Sequence, residues 1–315
     1  MPGGFTHIAL VRRLGINRTL MTIEGMKQDT ADALQLHGNY MELGAVSPDL
    51  PYLAVLSGHS EEWGDAFHHH NTVETVRVGI GKLASLPEED EARNKAMAWL
   101  FGYASHLVAD MISHPVVARK VGVYEKHKRE HRVCELNQDT YIFQLYFQDS
   151  ITNCDYLKHG VKACTDDGRP GFVLASHLDS FWRSILADVY PTIKNPDPNM
   201  WYLQYTQLID KIAEEGQSFV SVIRDIAEGE GYVYPETVDM TYIVDLLSPY
   251  GVEIHFDELF SQFEKETKKI WGQMARAVYE NDLSLLTLAN ADLDTGISLV
   301  DNTTSIFWNK KEKVA

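Results

Sequence analysis

The stretch GYASHLVADMISHPV, Gly102–Val116, sets His106, Asp110 and His114 four residues apart among Leu, Val, Ala and Met. Residues four apart share one helix face, drifting about 40° per step, so the three side chains form a single stripe. Met97, Leu100, Phe101, Val108, Met111 and Ile112 cover much of the remaining circumference, which predicts an interior helix. A buried carboxylate is costly unless it is paired or bound to a metal. One such histidine reads as a hydrogen-bonded core imidazole; the repeated stripe leaves core pairing and metal ligation equally open. Pro115 disfavours helical geometry at His114, so the helix is expected to end near Ser113 and the His114 ring to turn toward a neighbouring site.

The same device recurs in HRVCELNQD, which places His131, Glu135 and Asp139 at successive i, i+4 positions, with His127 at the start of the stripe. The preceding EKHKREHR is strongly polar, so a solvated ion-rich face competes with ligation there. Upstream, Asp49 follows Pro48 in GAVSPDLPYL, a rigid turn that could deliver a ligand. FHHHNT carries His68, His69 and His70; adjacent residues point in different directions, so at most one or two of them can serve one ion. MPGGFTH supplies His7 at the start of the first helix. Imidazole and carboxylate donors without cysteine suit zinc and tolerate manganese or iron. The donors are spread over too many segments for one structural ion, and a pair of ions can clamp a phosphoryl group between them.

The elements that must position these donors read as helices: Thr6–Leu14, Thr30–Leu36, Val73–Ser85, Glu91–Ser113, Glu130–Gln148, Leu174–Val189, Trp201–Ala227, Met240–Leu246 and Phe256–Asn281. Breakers such as LPEED, DDGRPG, NPDPN and SPYG separate them. GYVYPETV is the one short strand candidate. The fold class is therefore all-α, a multi-helix bundle. The polar loop at Asp166–Gly171 is the best internal boundary, dividing a core of residues 1–165 from a helical half, 166–315, packed on the same domain. All the chemistry-bearing residues are expected before that boundary.

The 315 residues are 44% hydrophobic, ample for a packed core. The net charge of −17 offers no electrostatic attraction to nucleic acid or an anionic membrane. No apolar run reaches the ~18–20 residues of a membrane span. The N-terminal apolar patch, soon interrupted by Arg12 and Arg13, does not read as a secretory leader. A cytoplasmic location, or secretion without a recognisable leader, is expected. Cys134, Cys154 and Cys164 have no CxxC spacing and read as reduced thiols.

Taken in order, THIALVRRL, GAVSPDLPYL, FHHHNT, AWLFGYASHLVADMISHP and HRVCE resemble the zinc-dependent phospholipase C family. That family includes bacterial phosphatidylcholine-hydrolysing enzymes, the catalytic domain of glycosylphosphatidylinositol phospholipase D and, more distantly, the S1/P1 nucleases. The resemblance covers roughly residues 2–150 and implies an all-α fold with a trinuclear zinc site acting on phosphate esters. It implies one zinc held by Asp49, His68 and His106, with Asp110 bridging to a second ion, and another zinc held by His114, His131 and Glu135. His68 is chosen because HHHNT aligns with the family's His-aromatic-x-Asp/Asn-Thr pattern; His69 and His70 depart from it or support the site indirectly. The short step from Asp110 to His114 is similar to the phospholipase D branch. A remaining ion would take Asp110, His7 and the chain's own terminal amine, which is Pro2 if Met1 is removed. Asp139 would orient a ligand histidine, and Asp49 would orient the attacking water.

The resemblance implies two or three zinc ions, a phospholipid or other phosphodiester substrate, and transient contact with a membrane surface. A single-strand nuclease or phosphatase on the same site, or a non-catalytic metal-binding helical protein, is the alternative. Nucleic acid is the less favoured partner for so acidic a chain, and the sequence does not define an oligomeric state.

Overall fold

The His-Asp-His stripe lies on a 31-residue helix, Glu91–Val121, roughly 46 Å long at 1.5 Å per residue. The structure, a computed structural model, describes residues 3–54, 60–147, 160–215 and 234–308. In chain order the helices are α1 (Gly4–Leu14), α2 (Asn17–Leu20), α3 (Gln28–Leu36), α4 (Gly38–Val46), α5 (Leu50–Leu53), α6 (Ser60–His69), α7 (Glu74–Ala84), α8 (Glu91–Val121), α9 (Lys128–Phe147), α10 (Ser176–Val189), α11 (Pro198–Glu215), α12 (Thr241–Val244) and α13 (Phe256–Glu280). Two small antiparallel hairpins complete the described residues: β1 (Leu246–Leu247) with β2 (Glu253–Ile254), and β3 (Ala291–Asp292) with β4 (Ile297–Ser298). The fold is an all-α bundle.

Helix α8 is the axis of the bundle. Every residue from Ala96 to His114 is buried, because α1, α3, α4, α7, α9, α10 and α13 pack around it. Its start is capped by Asp90, whose side chain accepts from the Ala92 amide. The expected stop near Ser113 is not observed: the helix runs through Pro115 to Val121. A proline inside a helix leaves the carbonyl four residues earlier without its amide partner. Here that carbonyl belongs to Met111, and Gly296 lies against it, so close that a Cβ there would come within 2.4 Å of the oxygen. Gly296 has φ +63°, a conformation that glycine adopts freely. Trp308 Nε1 donates to the next carbonyl, Ile112 O, at 3.0 Å. The C-terminal segment thus covers the break that the proline makes.

The α4–α8 crossing is a backbone contact. A Cβ on Gly44 would stand 1.9 Å from Trp99 O, and one on Gly102 would stand 1.9 Å from Met41 O. Trp99 Nε1 reinforces the crossing by donating to Ser47 Oγ at 2.8 Å. The approach brings Ala45 O, one of the α4 carbonyls with no helical partner, to the ring of His106. Gly102→Ala should therefore lose about 1–3 kcal/mol of stability by urea denaturation, although helix propensity alone favours Ala by about 1 kcal/mol. Unchanged or raised stability would contradict the contact.

Most expected helices appear with ends shifted by one to three residues, and Cys134 and Cys164 are free and buried. Cys154 and the end of the expected Trp201–Ala227 helix lie outside the described residues. Tyr234–Val238, the described part of GYVYPETV, is not a strand. The helices α2, α4, α5 and α6 were not apparent from periodicity; two of them are only four residues long. Asp49 closes a one-turn 3-10 helix, Ser47–Asp49, immediately before α5.

Candidate metal centre

Four elements bring their donors to Asp110, at the middle of α8. His106 Nε2 lies 3.1 Å from Asp110 Oδ2, His114 Nε2 lies 3.7 Å from it, and His68 Nε2, from the end of α6, lies 3.8 Å from it. His7 Nε2, from α1, approaches the other oxygen, Oδ1, at 3.2 Å. Asp49 Oδ1 stands 3.2 Å from His68 Nε2 and 3.6 Å from His106 Nε2. Donor atoms of His68, His106 and Asp110 all lie within 4.8 Å of one another, as do those of His7, Asp49 and His106.

The rings are held from behind. His106 Nδ1 is 2.9 Å from Ala45 O, and His68 Nδ1 is 2.8 Å from Gly64 O. A carbonyl only accepts, so in each ring Nδ1 carries the proton and Nε2 presents a lone pair in the neutral form. Those lone pairs face carboxylate oxygens. Nε2 of His7, His68, His106 and His114, Oδ1 of Asp49 and both oxygens of Asp110 are buried without a hydrogen-bond partner. Acceptors facing acceptors in a dry interior are satisfied either by protons on the imidazoles or by a cation between them, and the convergence of several rings on two carboxylates suits a cation. Ligands held 2.0–2.1 Å from a tetrahedral zinc stand roughly 3.3 Å apart. The measured separations of 3.1 to 3.8 Å bracket that value, so the residues present fit zinc.

Charge in the metal-free cluster divides unevenly. Burial opposes a proton on His106, but Asp110 and Asp49 outweigh it and raise the imidazole to about 9. Burial and the charge of His106 lower His7 to about 4, against the pull of Asp110. The two rings stack at 4.1 Å, close enough that one imidazolium excludes the other. Burial works against ionisation of both carboxylates, yet His106 and His114 hold Asp110 well below the usual range, and His106 and His68 lower Asp49. Without metal, the cluster thus favours two ionised carboxylates beside a protonated His106 and a neutral His7.

The expected trio of His114, His131 and Glu135 is less closely assembled. Among the described residues no set of three donors within 4.8 Å includes His131 or Glu135. His131 Nε2 is 2.6 Å from Gly122 O, its Nδ1 is buried without a hydrogen-bond partner, and Glu135 lies 3.4 Å from Arg132. Pro2 lies outside the described residues.

Asp139 does not face the cluster. It caps α1 from 133 residues away, accepting from Thr6 N at 2.8 Å, Thr6 Oγ1 at 2.7 Å and Phe5 N at 3.2 Å, with Tyr234 Oη donating at 3.2 Å. Burial pushes its carboxyl up to about 6 despite those donors. A Cβ on Gly3 would overlap this carboxylate, which explains a glycine there. Asp139 therefore fixes the helix that carries His7. Asp139→Asn should weaken metal retention and turnover roughly 10–100-fold, short of abolishing either, as read by chelator competition and steady-state rates.

Sequence reading expects all the chemistry-bearing residues before residue 166; the structure also brings Asp292 and Asp294, from the second half, against His69 and His114. The β3–β4 hairpin docks on the end of α6: Leu293 N donates to His68 O at 2.9 Å, and Thr72 Oγ1 donates to Ala291 O at 2.8 Å. His69, which departs from the family pattern, turns away from Asp110 and pairs with Asp292 at 2.8 Å. Asp294, at the hairpin tip, lies 3.0 Å from His114 Nδ1. The only local signal was ADLDTG, two carboxylates in a glycine-containing turn.

The all-α bundle thus gathers buried imidazoles from α1, α6 and α8 around Asp49 and Asp110, a donor set that could hold a metal ion. A family model described as zinc dependent phospholipase C matches residues 6–193, more than half of the chain, and the protein belongs to that family. It is accordingly a zinc-dependent, phospholipase C-like hydrolase. No curated protein and no solved structure matches the chain. Among the described residues, no helix is long and apolar enough to cross a membrane.

Proposed function

We propose that the protein is a phosphodiesterase that cleaves the phosphodiester bond of a phospholipid at a centre of two or three zinc ions. Asp49, His68, His106 and Asp110 hold one ion. Asp110 extends the centre toward His7 on one side and His114 on the other, with His131 and Glu135 the further ligands on the His114 side. Zinc bound there supplies a Lewis acid that neutralises charge developing on the phosphoryl group and makes water nucleophilic at neutral pH.

The observation that carries this reading is the set of facing, unpartnered acceptors, with Asp49 at its open edge. The Asp49 side chain is 13% exposed, whereas the side chains of His7, His106 and Asp110 are wholly buried. Asp49 is thus the carboxylate that an incoming water meets. Held ionised by His68 and His106, it orients that water and accepts its proton as attack on phosphorus begins. The hydrogen bonds behind His68 and His106 keep their rings from turning as the substrate enters.

The test is an assay of the zinc-loaded full chain against mixed micelles of phospholipids with different headgroups, and against single-stranded DNA. Release of a phosphorylated headgroup, lost with chelator and restored by zinc, is the expected result. Cleavage of DNA with no phospholipid turnover would replace this reading with the nuclease one. No turnover of any phosphodiester by a fully loaded chain would overturn both.

A further inference from the structure

We infer that Asp294, delivered by the C-terminal hairpin from beyond the family-matched residues 6–193, is a positioning residue that fixes His114 in the form that can ligate metal. The inference rests on the zinc centre proposed above, and deepens it. Asp294 Oδ1 is 3.0 Å from His114 Nδ1, while the opposite ring nitrogen, Nε2, points toward Asp110 at 3.7 Å and has no hydrogen-bond partner. A carboxylate accepts and never donates when ionised, so Asp294 places the ring proton on Nδ1 and leaves the Nε2 lone pair facing the centre. His68 and His106 receive the same service from carbonyls of α6 and α4. For His114 the supporting group comes instead from a separate part of the chain, and an ionised carboxylate raises the basicity of the ring more than a carbonyl does.

Contacts close to the proposed ligands hold the hairpin in place. Leu293 N donates to His68 O, Asp292 pairs with His69, and Gly296 sits on the Met111 carbonyl that Pro115 leaves free. The first contact is to the backbone of the proposed ligand His68, the second is to the residue beside it, and the third lies one turn from His114. Pro115 therefore has a role besides its effect on the helix: it opens the landing place that sets Asp294 against the residue preceding it. The metal centre is incomplete without residues of the second half.

Zinc alone is the probe, titrated into the full chain against a chelating dye at neutral pH. Asp294→Ala should weaken binding of the ion on the His114 side roughly 10–100-fold, and Asp294→Asn, which keeps an acceptor, should lose less. Wild-type zinc affinity in Asp294→Ala would overturn the inference, as would an Asn variant no better than Ala. A second measurement does not depend on any variant: long-range proton–nitrogen spectra of the imidazoles in the zinc-loaded wild type, with the His114 ring assigned through its own backbone resonances. A proton on His114 Nδ1 with the metal on Nε2 is expected; the reverse arrangement would overturn the inference. Neither measurement involves a lipid. A chain that passes both but cleaves no phospholipid overturns only the proposed function.

Discussion

Asp110→Asn should abolish hydrolysis, with a loss of about 1000-fold or more, and should lower the zinc content of the chain. The two carboxylate oxygens have different duties. Oδ1 faces His7 at 3.2 Å, whereas Oδ2 faces His106, His114 and His68 between 3.1 and 3.8 Å. A carboxylate whose oxygens face separate sets of imidazoles is suited to bridge two ions. An amide keeps one of those oxygens and replaces the other with a donor that cannot ligate. The fold should survive, because the amide keeps the side-chain volume in α8 and His106 can shed the proton that Asp110 favours rather than stay an unpaired buried charge. Circular dichroism should thus be unchanged while activity and metal content fall. Wild-type turnover with full metal in Asp110→Asn would show that this carboxylate is only a core residue.

Zinc should raise the melting temperature far more at about pH 9 than at about pH 6.5. Without metal, Asp110 and Asp49 keep His106 protonated up to about 9, well above its ordinary 6.5. A group whose folded pKa is raised stabilises the fold fully below its unfolded pKa, and that contribution is lost as pH climbs through the folded value. For His106 the loss amounts to about 3 kcal/mol across this window. His7 works the other way and at lower pH: lowered to about 4, it costs stability as pH falls below 6.5. Zinc requires neutral imidazoles and takes the place of the proton on His106, so the loaded chain does not suffer the alkaline loss. Equal zinc-dependent gains at both pH values would contradict a shared proton and metal site.

How much of this was legible depended on whether a partner was local. The His106–Asp110–His114 stripe follows from i, i+4 spacing in an apolar context, and all three side chains do face one another's surroundings in the bundle. Asp49 and His68 came from separate segments and were joined to that stripe only by resemblance to a family. Pro115 misled the reading of the helix end because local backbone preference was outweighed by a tertiary contact: Gly296 and Trp308 occupy the carbonyls around the break. Asp139 was singled out by its stripe, but its donors, Phe5 and Thr6, lie more than 130 residues away, and nothing nearby in sequence marks it as a helix cap. Asp294 could not be linked to His114 at all, since the link passes through a hairpin whose landing place exists only after α6 and α8 have packed.

The central claim is that Asp110 and the imidazoles around it hold zinc. Anomalous diffraction at the zinc edge, from crystals of the full chain loaded with zinc at neutral pH, tests it most directly. The account predicts two or three peaks per chain, one of them enclosed by Asp49, His68, His106 and Asp110. A loaded crystal with no zinc peak within coordinating distance of Asp110 would contradict it.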